Sequence, residues 1–297
     1  IRDSFGSRGL GDVYKRQIVD SGSTKTDWIC INDNGKTLFD TQTKGLNPQV
    51  LTEQIIEERV INNYDLYQNR KKISHLHFYG AGCGTELPRK LIKKVFEKIF
   101  INSALDIKED TYAAVYATCE FGQKSITSIL GTGSNCTYFD GKNIIQKVDS
   151  LGYVIMDDAS GNYFGKQLIR DYYFNKMPLS VQKLMSESFD MKSNTIKDNI
   201  YKRENPNTYL AKFGRFVIDN KDKAYFKKLI KKGFNLFITN QIEQFSDCKS
   251  VPLHFIGSIA FYLKDELKEI LISKDMRIGR VLRKPIDGLV SHHIERV

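Results

Sequence analysis

The stretch IVDSGSTKTDWICIN, residues 18 to 32, reads as a strand, a tight turn and a second strand. Glycine and small hydroxyl residues in such a turn let backbone N–H groups approach phosphate oxygens. We interpret the turn as a phosphate-binding hairpin in which Ser23, Thr24 and Thr26 supply hydroxyls and Lys25 supplies charge. Asp20, at the end of the first strand, is suited to organise Mg²⁺ beside those phosphates. Taken alone, the same residues would also suit a purely structural turn.

A second copy of this pattern lies in the other half of the chain. LGTGSN, residues 130 to 135, again separates two apolar segments, and Thr132 and Gly133 occupy its turn. Two such hairpins, one in each half, could clamp the polyphosphate of a nucleotide. A further strand, FIGSIA, ends in Gly257 and Ser258, which we expect to face adenine and ribose. The glycine pattern is not that of a P-loop.

The hydrophobic pattern divides the chain into two similar halves. Residues 1–17 have no periodic apolar face and resemble a translated linker, although Tyr14 to Gln17 could serve as makeshift strand residues. Residues 18–121 predict the order β-β-β-α-β-α-β-α. Residues 122–297 begin in the same style and continue with helices, and FIGSIA is predicted as the last strand. We therefore predict an α/β protein of two lobes, with the last helix packing back on the first lobe.

Composition narrows the class of protein. Hydrophobic residues make up 41% of the 297, which predicts a packed core. The five cysteines form no C-x-x-C pair and the five histidines no H-E-x-x-H, so neither a disulfide scaffold nor a zinc site is predicted. The net charge of +10 comes largely from lysines in mixed-charge helical segments, which favours solvated faces over nucleic-acid binding. Without a membrane-length apolar run or a signal peptide pattern, we expect a cytoplasmic protein with no membrane partner.

In their order and spacing, the motifs resemble the sugar kinase, heat-shock protein and actin superfamily of ATPases. They are most similar to BadF/BadG/BcrA/BcrD-type ATPases of the N-acetylglucosamine kinase branch. The motifs are DSGSTKTDW, GLNP, YGAGCG, KEDTYAA, LGTGSNC, LGYVIMDDASGNYFGKQL, FIGSIA and RKPIDGLVSHH, and they extend over nearly all of Ile18 to His293. The resemblance implies a duplicated, actin-like (ribonuclease H-like) α/β fold with two lobes around a nucleotide cleft.

The resemblance also implies roles for individual residues. Asp20 would organise Mg²⁺ and Asp110 would be the general base. ATP would be bound by Ser23, Thr24, Lys25, Thr132, Gly133, Gly257 and Ser258. The acceptor would be bound by Asn47, Asp110, Gly152 and Asp157. The residues themselves favour Asp110 as well, because a carboxylate between a predicted strand and helix can cap the helix and face the cleft. The alternative for Asp110 is a simple helix cap, and the alternative for Asn47 is a simple turn residue.

The activity implied by the resemblance is transfer of the γ-phosphoryl group of ATP, with Mg²⁺, to an amino sugar. The 6-hydroxyl of N-acetylglucosamine is the foremost acceptor, and a homodimer is compatible with the resemblance. Two alternatives stay open: an activator ATPase coupled to iron–sulfur electron transfer, and a non-catalytic actin-like protein. The branch usually has Gly-Asp-Glu-Gly-Ser where this chain has Met156 to Ser160, and a double glycine where it has Gly257-Ser258. The first departure leaves the identity of the sugar open.

Overall fold

The computed structural model describes residues 15–120 and 122–294, so residues 1–14 of the predicted tail lie outside it. The chain forms two compact units. The first runs to Asp110 and includes the segment from Leu289, and the second comprises Thr111–Gly288. No helix in the described ranges is long and apolar enough to cross a membrane.

A five-stranded sheet forms the centre of the first unit. Its strands are β1 (Arg16–Ser21), β2 (Lys25–Ile31), β3 (Thr37–Lys44), β4 (His75–Gly80) and β5 (Ala104–Glu109). They lie in the order β3-β2-β1-β4-β5; the pairs β1–β2 and β2–β3 are antiparallel, whereas β1–β4 and β4–β5 are parallel. The helices are α1 (Glu53–Ile61), α2 (Tyr64–Asn69) and α3 (Glu86–Ile99), and α4 (Asp110–Thr118) starts at the boundary of the unit.

The second unit repeats this sheet. Its strands are β6 (Ser125–Leu130), β7 (Ser134–Phe139), β8 (Ile144–Ile145), β9 (Leu253–Ile256) and β10 (Ile278–Leu282). The order is β8-β7-β6-β9-β10. As in the first sheet, the pairs on one side of the central strand, β6–β7 and β7–β8, are antiparallel, and those on the other side, β6–β9 and β9–β10, are parallel. The equivalent strands therefore occupy equivalent positions, which confirms the predicted duplicated α/β fold.

Helices fill most of the chain between β8 and β9 and after β9. They are α5 (Gly161–Tyr173), α6 (Leu179–Ser188), α7 (Ser193–Tyr201), α8 (Pro206–Asp219), α9 (Ala224–Asn240), α10 (Ser258–Tyr262), α11 (Lys264–Ser273) and α12 (Ile286–Ile294), with a 3₁₀ turn at Ile242–Gln244. Close contact between α5 and α8 depends on Gly165, because a Cβ there would come within 2.2 Å of the Leu210 carbonyl oxygen.

Aromatic side chains form the core of the first unit. Trp28 of β2 and Phe78 of β4 both pair with Val19 of β1, so the two side chains lie on the same face of the sheet. Phe96 of α3 lies edge-on to Phe78 at 5.2 Å between ring centroids and 6.0 Å from Trp28. The buried residues of α3 recur every three or four positions, as an amphipathic helix requires: Ile92, Val95, Phe96 and Ile99.

The first strand begins at Arg16, so Arg16 and Gln17 act as the makeshift strand residues that we predicted before Ile18, whereas Lys15 does not and Tyr14 lies outside the described residues. Gln17 is fully buried, and its neighbours in the adjacent strands, Cys30 and Leu76, are fully buried too. Neither amide atom of the Gln17 side chain has a hydrogen-bond partner among the described residues. A buried, unpaired amide destabilises a fold, so this position suits an apolar residue better than glutamine.

The division between the units falls at Asp110/Thr111, earlier than the predicted boundary near residue 121. The end of α4 and the residue after it bond to β6. Thr118 Oγ1 lies 3.3 Å from Thr127 Oγ1, and Cys119 Sγ lies 2.9 Å from Ser125 Oγ. These contacts explain why the helix groups with the second unit.

FIGSIA is not the last strand, contrary to our prediction, because β10 follows it. The segment Ile278–Leu282 is only partly buried and contains Gly279 and Arg280, so its apolar pattern is weak. Gly279 is required there, because a Cβ would come within 2.4 Å of the Nδ1 atom of His254 on β9. The need for glycine at position 279 thus comes from the neighbouring strand, and the sequence of β10 alone does not reveal it.

His254 is buried in a single protonation state. It is 5% exposed, and its Nδ1 atom accepts a hydrogen bond of 2.9 Å from the backbone N–H of Arg280. The proton of the neutral ring therefore lies on Nε2, which has no partner among the described residues. Burial, with a smaller contribution from the charges of Arg280 and Arg277, lowers the pKa of His254 from 6.5 to about 4.

We expect Gln17→Leu to stabilise the protein by about 1–3 kcal/mol, because it removes an unpaired buried amide from an apolar environment. Urea unfolding followed by circular dichroism measures the change. Gln54→Leu, at an exposed position on α1, is the matched control and should change the free energy of unfolding little. An unchanged or lower stability of Gln17→Leu would contradict the account of β1.

We expect His254 to make the protein less stable in acid. Its pKa is lower in the folded than in the unfolded state, so the unfolded state binds the proton more readily. The contribution of neutral His254 is complete above pH 6.5 and is lost between about pH 6.5 and 4, by at most about 1.4 kcal/mol per pH unit. His254→Asn keeps an acceptor for the Arg280 N–H but does not titrate. Parallel stability–pH curves for the two proteins would refute this expectation.

Candidate functional site

The first predicted phosphate turn is a tight hairpin between β1 and β2. Ser21 pairs with Thr26 across the hairpin, and the Gly22 N–H donates to the Lys25 carbonyl oxygen at 3.0 Å. Thr24 and Lys25 are exposed at its tip. The turn thus holds a hydroxyl and an ammonium group on a fixed backbone, and Lys25 Nζ lies 3.2 Å from Asp27 Oδ2.

Ser21 and Thr26 support this turn from beneath. The sequence interpretation missed Ser21, and it predicted that Thr26 would offer its hydroxyl to phosphate, whereas Thr26 is fully buried. The hydroxyls of Ser21 and Thr26 are buried and lie 2.9 Å apart. Ser21 Oγ accepts from the Leu46 N–H at 3.1 Å, and the Gly45 N–H donates to the Thr24 carbonyl oxygen at 3.0 Å. The only sign of this support in the sequence is that small hydroxyl residues, Ser21 and Thr26, flank the turn.

Asn47 lies in a loop that meets the loop after β4. Its Oδ1 atom accepts from the Gln49 N–H at 2.9 Å, and Gln49 Nε2 donates to the Gly82 carbonyl oxygen at 3.2 Å. Gly82 has a φ of +81°, and a Cβ there would come within 2.2 Å of Asn47 Oδ1. The Ala81 N–H also donates to the Ser21 carbonyl oxygen at 2.8 Å. GLNP, YGAGCG and the first turn therefore form one connected region.

Asp110 lies at the same edge of the first sheet. Parallel pairing aligns Ser21 with Gly80 and Gly80 with Glu109, and Asp110 follows directly as the first residue of α4. Adjacent strands are about 4.8 Å apart, so Asp110 lies roughly 10 Å across the sheet from the end of β1. Because the helix starts at Asp110, its carboxylate belongs to the first turn, where the helix dipole favours negative charge.

Cys83 is the titratable neighbour of this carboxylate. Its thiol is fully buried, and burial raises its pKa to about 12, with further contributions from the charges of Asp110 and Glu109. The thiol therefore stays neutral and cannot act as a base near neutral pH. The carboxylates of Glu109 and Asp110 both lie near this thiol, and the role of Asp110 as general base stays a prediction.

The second predicted phosphate turn connects β6 and β7 and is held by α5. The N–H groups of Gly161 and Asn162 donate to the carbonyl oxygens of Gly131 and Thr132, at 2.8 and 3.0 Å. Within residues 15–120 and 122–294, the N–H groups of Thr132 and Gly133 form no intramolecular hydrogen bond. Two adjacent unused N–H groups on a fixed turn are suited to bind phosphate oxygens.

Asp157 lies against this second turn. The side chain is 8% exposed, and its carboxylate accepts hydrogen bonds from the Ser134 N–H and the Asn162 side chain. A Cβ on Gly133 would come within 2.7 Å of Asp157 Oδ2. Burial raises the pKa of Asp157, while these hydrogen bonds and the charge of Lys166 oppose the rise. Its visible function is to support the turn; the predicted contact with a sugar stays a prediction.

The residues around Asp157 differ from the Gly-Asp-Glu-Gly-Ser that is usual in the N-acetylglucosamine kinase branch. The difference puts an alanine, Ala159, at a position where the backbone φ is positive. Gly152 has a φ of +78°, and its carbonyl oxygen accepts from the Met156 N–H at 2.9 Å. Ala159 has a φ of +57° and is fully buried. Glycine would adopt this backbone without the penalty of about 1–2 kcal/mol that a Cβ brings, so the alanine is held there by its surroundings.

Gly257 and Ser258 lie next to the second turn. β9 runs parallel to β6, and Ile129 pairs with Ile256. Gly257 has a φ of +115°, and a Cβ there would come within 2.3 Å of the Leu130 carbonyl oxygen. The second unit therefore places Gly257 and Ser258 beside the turn that contains Thr132 and Gly133. In the first unit, Asp20, Ser23, Thr24 and Lys25 lie at the first turn, and Asn47 and Asp110 lie along the same edge of the sheet.

Asp20 is the residue we predicted to organise Mg²⁺. Among the described residues, no group of three or more His, Cys, Asp or Glu side chains could hold a metal ion. Mg²⁺ beside a nucleotide usually takes only one or two protein carboxylates and fills its other positions with phosphate oxygens and waters. A single half-buried carboxylate at the end of β1 fits that donor set.

Comparison with known proteins found matches among solved structures, while no family model and no curated protein matches the sequence. A proposed N-acetylglucosamine kinase from Porphyromonas gingivalis is 29% identical, with a TM-score of 0.86 over 95% of this chain and 99% of that one. A second proposed N-acetylglucosamine kinase, from Chromobacterium violaceum, is 15% identical, with a TM-score of 0.70 over 95% and 99%.

A ROK family glucokinase from Streptomyces griseus, solved with glucose and AMPPNP, is 12% identical, with a TM-score of 0.57 over 94% of this chain and 97% of that one. At this identity the likeness concerns the fold alone.

We expect Gly45→Ala to destabilise the protein by about 1–3 kcal/mol and to weaken nucleotide binding. The new Cβ would come within 2.5 Å of the carbonyl oxygens of Gly22 and Ser23 and push the first turn out of place. Gly22→Ala is the matched control for stability alone, because its Cβ would meet only the Lys25 carbonyl oxygen, at 3.6 Å. Urea unfolding measures the stability of both variants, and calorimetric titration with AMPPNP measures nucleotide binding by Gly45→Ala and wild type. Equal stability of the two variants would contradict the proposed support.

The strand order and these matches agree with the motif resemblance: the chain is a structural relative of the N-acetylglucosamine kinase-like proteins and has the duplicated actin-like ATPase fold of the sugar kinases.

Proposed function

We propose that the protein is an ATP- and Mg²⁺-dependent kinase that phosphorylates an amino sugar, with the 6-hydroxyl of N-acetylglucosamine as the foremost acceptor. One observation carries the proposal: a duplicated sheet has equivalent hairpins whose hydroxyl, ammonium and N–H groups are suited to bind phosphate, and a carboxylate lies at the edge of the first sheet. The assignment of N-acetylglucosamine kinase to two structural matches supports the choice of acceptor.

On the nucleotide side, Thr24 and Lys25 of the first turn and the N–H groups of Thr132 and Gly133 would bind phosphate oxygens. Gly257 and Ser258 would face the adenosine. The AMPPNP bound in the Streptomyces griseus glucokinase supports ATP as the donor. Mg²⁺, held through Asp20, would offset the charge on the phosphates.

On the acceptor side, Asp110 would orient the hydroxyl and take its proton. The oxygen attacks the γ-phosphorus, the bond from phosphorus to the bridging oxygen breaks, and ADP leaves with that electron pair. Asn47 would hold a sugar hydroxyl at the same edge. We assign Gly152 and Asp157 to the acceptor on the resemblance, with Asp157 also fixing the second turn.

The activator ATPase is less well supported. Four of the five cysteines are buried: Cys30, Cys83, Cys136 and Cys248. Burial raises the pKa values of these thiols, which disfavours the thiolates that an iron–sulfur cluster needs. No observation favours a non-catalytic protein over a kinase.

We expect Asp110→Asn to lower sugar-dependent ADP release by about two to four orders of magnitude, the usual contribution of a positioned base. That is about 3–5 kcal/mol at 1.4 kcal/mol per tenfold change. The affinity for AMPPNP and the thermal stability should change little. Glu109→Gln, which alters the adjacent carboxylate, is the matched control and should keep activity within a few-fold. A folded Asp110→Asn variant with near-normal turnover would exclude the base role.

A further inference from the structure

The loop between β3 and α1 contacts the first phosphate turn. Its residues Gly45–Gln49 are here called the linking loop. The Gly45 N–H donates to the Thr24 carbonyl oxygen at 3.0 Å, and the Leu46 N–H donates to Ser21 Oγ at 3.1 Å. Leu46 and Ser21 are both fully buried, so water does not compete for the second of these bonds. The first two residues of the linking loop are thus fastened to the turn.

The same loop contains Asn47, which we propose to hold a sugar hydroxyl. Asn47 Oδ1 accepts from the Gln49 N–H at 2.9 Å, and the Asn47 carbonyl oxygen accepts from the Val50 N–H at 3.3 Å. These two bonds fold the backbone into a turn around Asn47. Because only Leu46 separates Asn47 from Gly45, a shift of Gly45 would displace Asn47 as well.

Arg59 of α1 holds the linking loop from the side of the helix. Its Nη1 atom donates to the Gly45 carbonyl oxygen. Gly45 is therefore bonded through both its N–H and its carbonyl oxygen. The helix is itself fixed, because Ile56 and Val60 are fully buried in the core of the first unit. A hydrogen bond from a charged donor is stronger than one between neutral groups. Arg59 thus ties the linking loop to a helix of the core.

We propose that Arg59 is the positioning residue that sets the linking loop and, through it, both the first phosphate turn and Asn47. The inference rests on the proposed function, which assigns the turn to the nucleotide and Asn47 to the acceptor but gives Arg59 no role. Small displacements of binding groups are enough to lower affinity and rate. Loss of Arg59 should therefore weaken the binding of both substrates, although its contact is with the loop alone in this argument.

The test begins with Arg59→Met, which removes the donor and the charge but keeps a long side chain. We expect the Kd of AMPPNP with Mg²⁺ and the KM of N-acetylglucosamine each to rise about three- to tenfold, the usual range for one lost hydrogen bond. The value of kcat should stay within a few-fold, because Asp110 follows β5 and lies outside the linking loop. Arg59→Lys keeps a donor on a long stem and should restore most of both affinities.

Arg70→Met is the matched control. Arg70 belongs to the same unit and also donates from Nη1 to a main-chain oxygen, that of Tyr67. This bond lies at the C-terminal end of α2 and outside the linking loop. The control should leave both constants unchanged. Equal losses in Arg59→Met and Arg70→Met would indicate general destabilisation and would overturn the positioning role.

Amide hydrogen exchange of the ligand-free protein tests the positioning directly. Mass spectrometry should find faster exchange at Gly45 and Leu46 in Arg59→Met than in wild type, and Arg59→Lys should approach the wild-type rate. Unchanged exchange combined with weaker AMPPNP binding would mean that Arg59 contacts phosphate itself, which overturns the proposal. An unchanged Kd for AMPPNP, or a change in only one of the two affinities, would overturn it as well.

The outcomes also separate this inference from the proposed function. If no sugar stimulates ADP release, the proposed kinase activity fails, and with it the part of the inference that concerns Asn47. A raised Kd for AMPPNP with faster exchange in Arg59→Met would still support the positioning of the first turn. If the wild type binds no AMPPNP, the proposed function and the inference are both overturned.

Discussion

Parallel hydrogen bonding of β1 to β4 and of β4 to β5 is the constraint on which the first half of the site depends. Carboxyl ends of parallel strands share one edge of a sheet, so residues far apart in sequence meet there. Asp20, the loop around Gly82 and Asp110 owe their common location to this pairing. No direct contact between the first turn and Asp110 is needed to align them.

The second sheet has the same strand pairing, but different side chains support the turn at its edge. In the first unit, buried hydroxyls and Gly45 support the turn from a neighbouring loop. In the second, the N-terminus of α5 and the carboxylate of Asp157 take this role. A sheet edge can therefore be conserved in geometry while the residues that stabilise its loops differ.

The features that were predictable from sequence are those with a local signal. The two turns carry their glycines and hydroxyls within a few residues, and the buried residues of α3 recur at helical spacing in its sequence. β10 was missed because a partly buried strand with a glycine and an arginine has little periodicity. The support given by Asp157 and Gly45 was also missed, since it depends on contacts between segments that are distant in sequence. Gln17 is a further case: only its burial reveals that the strand carries an unsuited side chain.

The distribution of the cysteines has a consequence for the chemical reactivity of the native protein. Alkylating and oxidising reagents attack the thiolate, and a thiol that is both buried and protonated reacts slowly. Four of the five thiols are buried, whereas Cys119, directly after α4, is partly exposed. A maleimide dye should therefore label the folded protein chiefly at Cys119. One native cysteine would give a spectroscopic reporter at the end of the helix that starts with Asp110, without the removal of any other.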